Sequence, residues 1–328
     1  MKQDRFVERY AGEWRALAGL LEGLEGGGGA AGADAATLPR RYRCLTQHLA
    51  LARARGYSIG LVERLESLAF RGHQLLYQHR EPFAAACVRY LALEFPVRLR
   101  RAGTRVAAAA AVFFGAMLVA GGIVAAEPRL VTTVLDPADV RSLESMYAGE
   151  GRLGRERGAG DDFAMFGFYV RNNIGIGFQT FAGGLAVGLG TLAFLLLNGL
   201  HIGAAAGYLT AAGYGTPFWS FVSGHSALEL SAIVISGAAG LHVGWALLHP
   251  GQLPRGRALV RSARQAVRIM YGAAALFLLA ALVEAYWSSQ VAVSPLVKYG
   301  FGVLGWVVLA AYVGFGGRGR EHLVAEDE

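Results

Sequence analysis

Five long stretches of this chain are nearly free of charge, and no other feature limits its fold so strongly. They cover residues 104–126, 173–197, 218–248, 269–290 and 295–316, and apart from Arg105 at the start of the first, only Glu229, Glu284 and Lys298 carry a formal charge within them. The hydrocarbon core of a bilayer is about 30 Å thick and needs roughly 20 apolar residues as helix. Each stretch is long enough, and a single segment in lipid satisfies its own backbone only as a helix. A sixth stretch, 199–215, is short and rich in Gly and Ala; at about 1.5 Å per residue it just reaches across. The expected fold class is therefore all-α, a polytopic helical membrane protein with six spans, one of them short.

Orientation follows from the basic residues. Arg98, Arg100, Arg101 and Arg105 precede or open the first stretch, and Arg255, Arg257, Arg261, Arg264 and Arg268 lie before the fifth span. Lys and Arg in short loops mark the cytoplasmic side. Both segments can lie inside only if an even number of crossings separates them, so 199–215 is expected to cross rather than turn back. Both termini are then cytoplasmic. The chain divides into a cytoplasmic helical domain over 1–103, a membrane domain over 104–317 with an external loop at 127–171, and a tail over 318–328.

Within the first domain, Phe6, Tyr10, Trp14, Leu17 and Leu21 recur at helical spacing. Residues 26–29 are all Gly and read as a linker. Further helices are expected over 38–55, 58–78 and 81–101, the last interrupted at Phe95 and Pro96. In the external loop, Asp136 reads as an N-cap with Pro137 in the first turn of a short helix ending near Tyr147. The Gly/Arg/Asp run 149–162 is expected to be mobile. Over 254–271, Arg257, Arg261, Arg264 and Arg268 share a helical face suited to anionic lipid headgroups, so a basic cytoplasmic interfacial helix is expected there. The span 218–248 is expected to break near Ser223 and Gly224.

Composition excludes several classes. Only 17 % of the residues are charged and 54 % are hydrophobic, whereas a soluble domain carries about 25 % charge. Cys44 and Cys87 are the two cysteines, with no Cys-x-x-Cys between them, so neither a disulfide framework nor a thiolate zinc site is expected. The net charge of +7 belongs to the membrane surface, and no nucleic-acid partner is expected. No Gly-x-Ser-x-Gly, Walker loop or Ser/His/Asp arrangement occurs.

An ionisable side chain inside a span costs roughly 2.5–3.5 kcal/mol on insertion scales and needs a reason. The fourth span runs outside to inside, which places His225 near its outer end and Glu229 one turn deeper on the same face. The fifth runs the other way and brings Glu284 to a similar depth. Asn172 and Asn173 open the second span on that side, and Lys298 opens the sixth. These features converge on one leaflet, as a polar pocket of His225, Glu229, Glu284, Asn172 and Asn173. Three readings stay open: a structural hydrogen-bond cluster, a ligand, ion or proton site, and a divalent metal centre of His225, Glu229 and Glu284. His201 and His242 read as hydrogen-bonding groups at the inner membrane face.

These residues resemble the stage II sporulation protein M family. The likeness runs over nearly the whole chain. It is carried by Tyr42-Arg43, Leu49-Ala50-x-Ala52-Arg53, His73 to Tyr77 and Phe95-Pro96-x-Arg98 in the first domain. In the membrane part it is carried by Asn172-Asn173, Phe181-Ala182-Gly183-Gly184, Asn198-Gly199-x-x-x-Gly203, His225-x-x-x-Glu229-Leu230-x-Ala232, Gly237, Gly240-Leu241 and Glu284-Ala285. Family members often carry Pro-His-Gly where this chain has Gly224-His225-Ser226. The resemblance implies a bacterial or archaeal inner-membrane protein. It also implies partners among envelope proteins or MoxR-type AAA+ ATPases. The expected function is a non-enzymatic membrane scaffold of an envelope-associated complex. A transporter or channel for a small ion or lipid headgroup, and an intramembrane metal-dependent hydrolase, are the alternatives.

Overall fold

The computed structural model of the chain describes residues 2–25, 37–78, 82–147, 159–321 and 324. All regular elements among them are helical, and no strand occurs. The expected linker at 26–29, residues 149–158 of the expected mobile run, and the tail beyond Glu321 except Val324 lie outside the described residues. The chain forms two compact units that divide between Cys87 and Val88.

The first unit is built on α1 (Gln3–Glu25), α2 (Leu38–Ala54) and α3 (Ile59–Gln78). Each turns one apolar stripe inward. Phe6, Trp14, Leu17 and Leu21 from α1 meet Leu38, Leu45 and Ala52 from α2 and Leu65 and Leu68 from α3. At the centre, Trp14 Nε1 donates to His48 Nδ1 at 3.2 Å, and the imidazole lies 4.1 Å from the Tyr10 ring centroid. His48 is therefore held neutral with its Nδ1 lone pair in use. Burial pushes its pKa below the usual 6.5, against an opposing pull from Glu13. As pH falls, the unfolded chain takes up the proton before the folded one does. The contribution of His48 to stability is thus complete above the unfolded value and declines below it. Thermal unfolding of this unit is expected to move to lower temperature between about pH 7.5 and pH 5.5, and His48→Phe should flatten that dependence.

The second unit begins with α4 (Phe83–Arg89), whose last residues cross into it, a π-turn (Tyr90–Glu94) and α5 (Phe95–Arg101). Pro96 sits in the first turn of α5. Having no N–H, it cannot serve the carbonyl four residues back, and the widened turn falls just before it. Then come α6 (Gly103–Ala126), a 3-10 turn (Pro128–Thr133), α7 (Pro137–Tyr147), α8 (Ala159–Ala182), α9 (Leu189–Leu209), α10 (Gly215–Leu248), α11 (Arg255–Leu282) and α12 (Pro295–Phe315). Among the described residues, four helical segments are long and apolar enough to cross a membrane: Gly103–Ala126, Leu189–Leu248, Arg255–Ser288 and Pro295–Phe315. The second of these holds both α9 and α10, which reverse at a π-turn (Thr210–Tyr214) where Gly213 has φ +90°.

Three sequence expectations change. Residues 173–197 are not one span. The helix ends at Ala182, a 3-10 turn follows, and Val187 (φ 58°) and Gly188 (φ 84°) reverse the chain into α9. His201 consequently sits in the middle of α9, exposed, with Nδ1 2.9 Å from the Leu197 carbonyl, and not at a helix end. The second change is that α10 is unbroken at Ser223 and Gly224. The Ser220, Ser223 and Ser226 hydroxyls turn back onto carbonyls of their own helix, and no proline interrupts it there. Third, the basic stretch over 254–271 is no separate helix. From Arg255 it forms the first half of α11 and continues directly into the apolar part.

Helix α6 runs parallel to α9. Gly199, Gly203 and Gly207 fit against Phe113, Met117 and Gly121 in matching order. Helix α10 returns antiparallel, with Gly237 against Leu195 and Gly244 against Gly188. Phe113, Leu195, Ile233, Ala238, Ala239 and Phe277 fill the core between these helices and α11. At one end of the bundle, α7 packs through Val140 onto Val124 and Ala204 and through Tyr147 onto Phe218. Asp136 caps it, with its Oδ1 accepting from the Ala138 N–H at 2.8 Å.

Candidate functional site

Glu284 lies in a π-turn (Val283–Ser288) that closes α11. A widened turn of this kind shifts side-chain direction within an otherwise regular helix. Glu284 and Ser288, four apart, both face inward and are buried. Facing them is one side of α10, where His225 and Glu229 stack at i and i+4. His225 is only 4 % exposed. Its Nδ1 is 3.1 Å from Ser288 Oγ, and its Nε2 is 3.6 Å from Glu229 Oε2. The Phe221 ring stands edge-on to the imidazole with centroids 5.4 Å apart. One ligand-capable atom from each of His225, Glu229 and Glu284 lies within 4.8 Å of the others.

Helix α8 supplies the third wall. Asn173 is buried and sits beside Glu284. Asn172 faces outward and donates from Nδ2 to Asn173 Oδ1 at 3.0 Å, so it supports the cluster without joining it. From α12, Lys298 donates through Nζ to the Ser288 carbonyl at 2.8 Å. That carbonyl belongs to the last turn of a helix, where it has no partner within the helix, and a cation suits the negative end of the helix dipole. Ser288 thus joins two groups, His225 through its hydroxyl and Lys298 through its backbone.

Among the described residues, the one ion-pair contact to either carboxylate comes from His225, and Lys298 is spent on a carbonyl. Glu284 Oε2 and Asn173 Nδ2 are buried with no partner at full hydrogen-bond geometry among the described residues, although Asn173 stands near enough to Glu284 for a longer contact to its carboxylate. Buried polar atoms nearly always find partners, so two such atoms side by side demand an account.

Sequence reasoning missed Ser288. Its signal was present, four residues after Glu284 on the same face. It also grouped the arginines by helical wheel alone. Arg257, Arg261 and Arg264 are exposed and Arg268 is half-buried, and all four line a groove of about 680 Å³ along the start of α11. His242, at the same end of the bundle, has Nε2 2.9 Å from Gln265 Oε1.

Comparison with known proteins places these residues. Residues 4–78 match a domain of unknown function (DUF8413), which spans the three helices of the first unit. No curated protein matches the chain, and no solved structure does. Residues 110–289 match Stage II sporulation protein M. That stretch holds more than half of the chain and contains Asn173, His225, Glu229, Glu284 and Ser288, but not Lys298. The chain therefore belongs to the stage II sporulation protein M family.

Proposed function

We propose that this protein is a non-enzymatic integral membrane scaffold of an envelope-associated complex in the inner membrane. One observation carries the reading. The polar cluster sits inside the bundle, with His225 and Glu284 each under a tenth exposed, and it joins side chains of α8, α10 and the end of α11. A catalytic or transport site needs access for its substrate, whereas a largely buried cluster that ties three helices together fixes them against one another.

The reading includes six crossings: α6, α8, α9, α10, α11 and α12. Parallel α6 and α9 require a return between them, and α8, with 24 residues, is about 36 Å long. Arg98, Arg100 and Arg101 of α5 with Arg105 at the start of α6, the arginines at the start of α11, and Arg318 and Arg320 after α12 fall at one end of the bundle. The positive-inside bias makes that end cytoplasmic. The first unit then docks a soluble partner there, a MoxR-type AAA+ ATPase or an envelope-complex subunit, while α7 and the opposite face meet an external component.

Two measurements test this. In cells, an impermeant maleimide should label a cysteine at position 138 and leave one at 257 unlabelled, in a Cys44→Ser, Cys87→Ser background. Labelling of 257 from outside overturns the six-crossing arrangement. In vesicles, the full-length protein should retain the purified ATPase and pass no ions above empty vesicles. Ion flux that Glu229→Gln abolishes would replace the scaffold with a transporter.

A further inference from the structure

We propose that His225, Glu229 and Glu284 form a divalent-metal centre of the zinc class, buried in the helix bundle, with a water completing the tetrahedron. The inference is independent of the scaffold reading, since a metal could brace a transporter equally well.

With both carboxylates ionised at a bound metal, charge decides the valence. Two carboxylates face each other in an apolar bundle, with no Lys or Arg paired to either among the described residues. Burying uncompensated charge is far more costly than burying a neutral assembly. Two carboxylates, one neutral imidazole and one divalent cation sum to zero. A monovalent cation leaves a negative charge behind. The imidazole narrows the choice further: nitrogen ligation favours zinc and its first-row neighbours over magnesium or calcium, which take oxygen ligands.

Geometry points the same way. With His225 Nδ1–H donating to Ser288 Oγ at 3.1 Å, Nε2 is left with a lone pair aimed at Glu229. The 3.6 Å from Nε2 to Glu229 Oε2 is too long for a hydrogen bond. It is close to the edge of a tetrahedral site, about 3.4 Å for metal–ligand bonds of about 2.1 Å. Zinc-binding histidines characteristically donate their other nitrogen to a neighbouring group, the part Ser288 plays. Glu284 Oε2 has no full hydrogen bond to break on moving inward, and the 4.8 Å spread of the three ligand atoms closes by that movement. Asn173 Nδ2 is placed to donate to a metal-bound carboxylate oxygen. The two atoms thus acquire roles together.

The test uses the full-length protein in nanodiscs. It is stripped with a chelator, given Zn²⁺, desalted and assayed for metal, with thermal unfolding recorded before and after. Wild type should retain about one zinc per chain, and Glu284→Gln and His225→Ala about a tenth of that or less. Zinc should raise the unfolding temperature of wild type and leave that of Glu284→Gln unmoved. Co²⁺ in place of zinc should give tetrahedral visible bands without a thiolate charge-transfer band, which excludes Cys44 and Cys87. Wild type holding no more metal than Glu284→Gln overturns the proposal and leaves the carboxylates neutralised by protons. So does a thiolate band, or an unfolding temperature that zinc does not move; this last readout needs only wild type and stands even where a variant fails to fold.

Discussion

Gly203→Val is expected to separate α6 from α9 and to destabilise the membrane unit by about 3 kcal/mol or more, at or above the upper end of ordinary overpacking. A Cβ at Gly203 would fall on the Met117 carbonyl. One at Gly199 would meet the Phe113 carbonyl, and one at Gly207 the Gly121 carbonyl. The obstruction is backbone in every case, and backbone cannot rotate aside as a flexible side chain can. Small residues at four-residue spacing are how helices come together in lipid, where no hydrophobic force draws them. The control lies on the other side of α6. Gly115 has nothing within 4 Å of its added Cβ, so Gly115→Val should change stability by no more than about 0.5 kcal/mol. Thermal unfolding in a mild detergent reads both. Equal midpoints would mean that α6 and α9 do not pack in this register.

The glycine repeat itself was legible in the sequence; its partner was not. Helix α6 is mostly Ala, Val and Gly, and such a helix advertises no preferred face. The reversal at 183–188 was hidden for a related reason. Hydropathy runs on from Ile174 to Leu197 with neither charge nor proline, so nothing polar marks a loop. The turn rests on backbone freedom at Gly188 and on Val187 in a left-handed conformation that β-branched residues rarely adopt. Gly183 and Gly188 read equally well as packing residues.

The candidate site was more legible than the turns around it. Helical spacing alone puts His225 over Glu229. Counting depth from charged span ends brings Glu284 and Lys298 to the same level; Asn173 reaches it for another reason, since α8 begins at Ala159 and holds Asn173 in its interior, not at its opening. Depth says nothing of rotation about the helix axis, however. Asn172 and Asn173 had equal standing, and only Asn173 faces the cluster. The π-turn around Glu284 was equally unreadable, since it depends on how the end of α11 meets α10 and α12.

Phe95→Ala should be the most damaging truncation in the segment that leads into the bundle, costing about 3–5 kcal/mol. The Phe95 ring is 1 % exposed and lies directly over Gly272 of α11, where an added Cβ would fall inside it. Tyr90 and Tyr312 flank it with ring centroids 6.2 and 6.4 Å away. The same two tyrosines hydrogen-bond across the joint, Tyr90 to the Arg268 carbonyl and Tyr312 to the Leu91 carbonyl, while Arg100 reaches the Val313 carbonyl at 2.6 Å. Truncating Phe95 therefore opens a cavity at the centre of a polar ring of contacts between α5, α11 and α12. Gly272 makes the prediction specific. Gly272→Ala should be destabilising in wild type, because the methyl group and the ring compete for one volume. In the Phe95→Ala background the methyl group enters the vacated space, so the same change should be neutral or stabilising. The two substitutions are then non-additive by about 1–3 kcal/mol in the compensating direction. Additivity within about 0.5 kcal/mol would mean that the ring does not sit on Gly272, and that the anchoring of residues 88–101 rests on the hydrogen bonds alone.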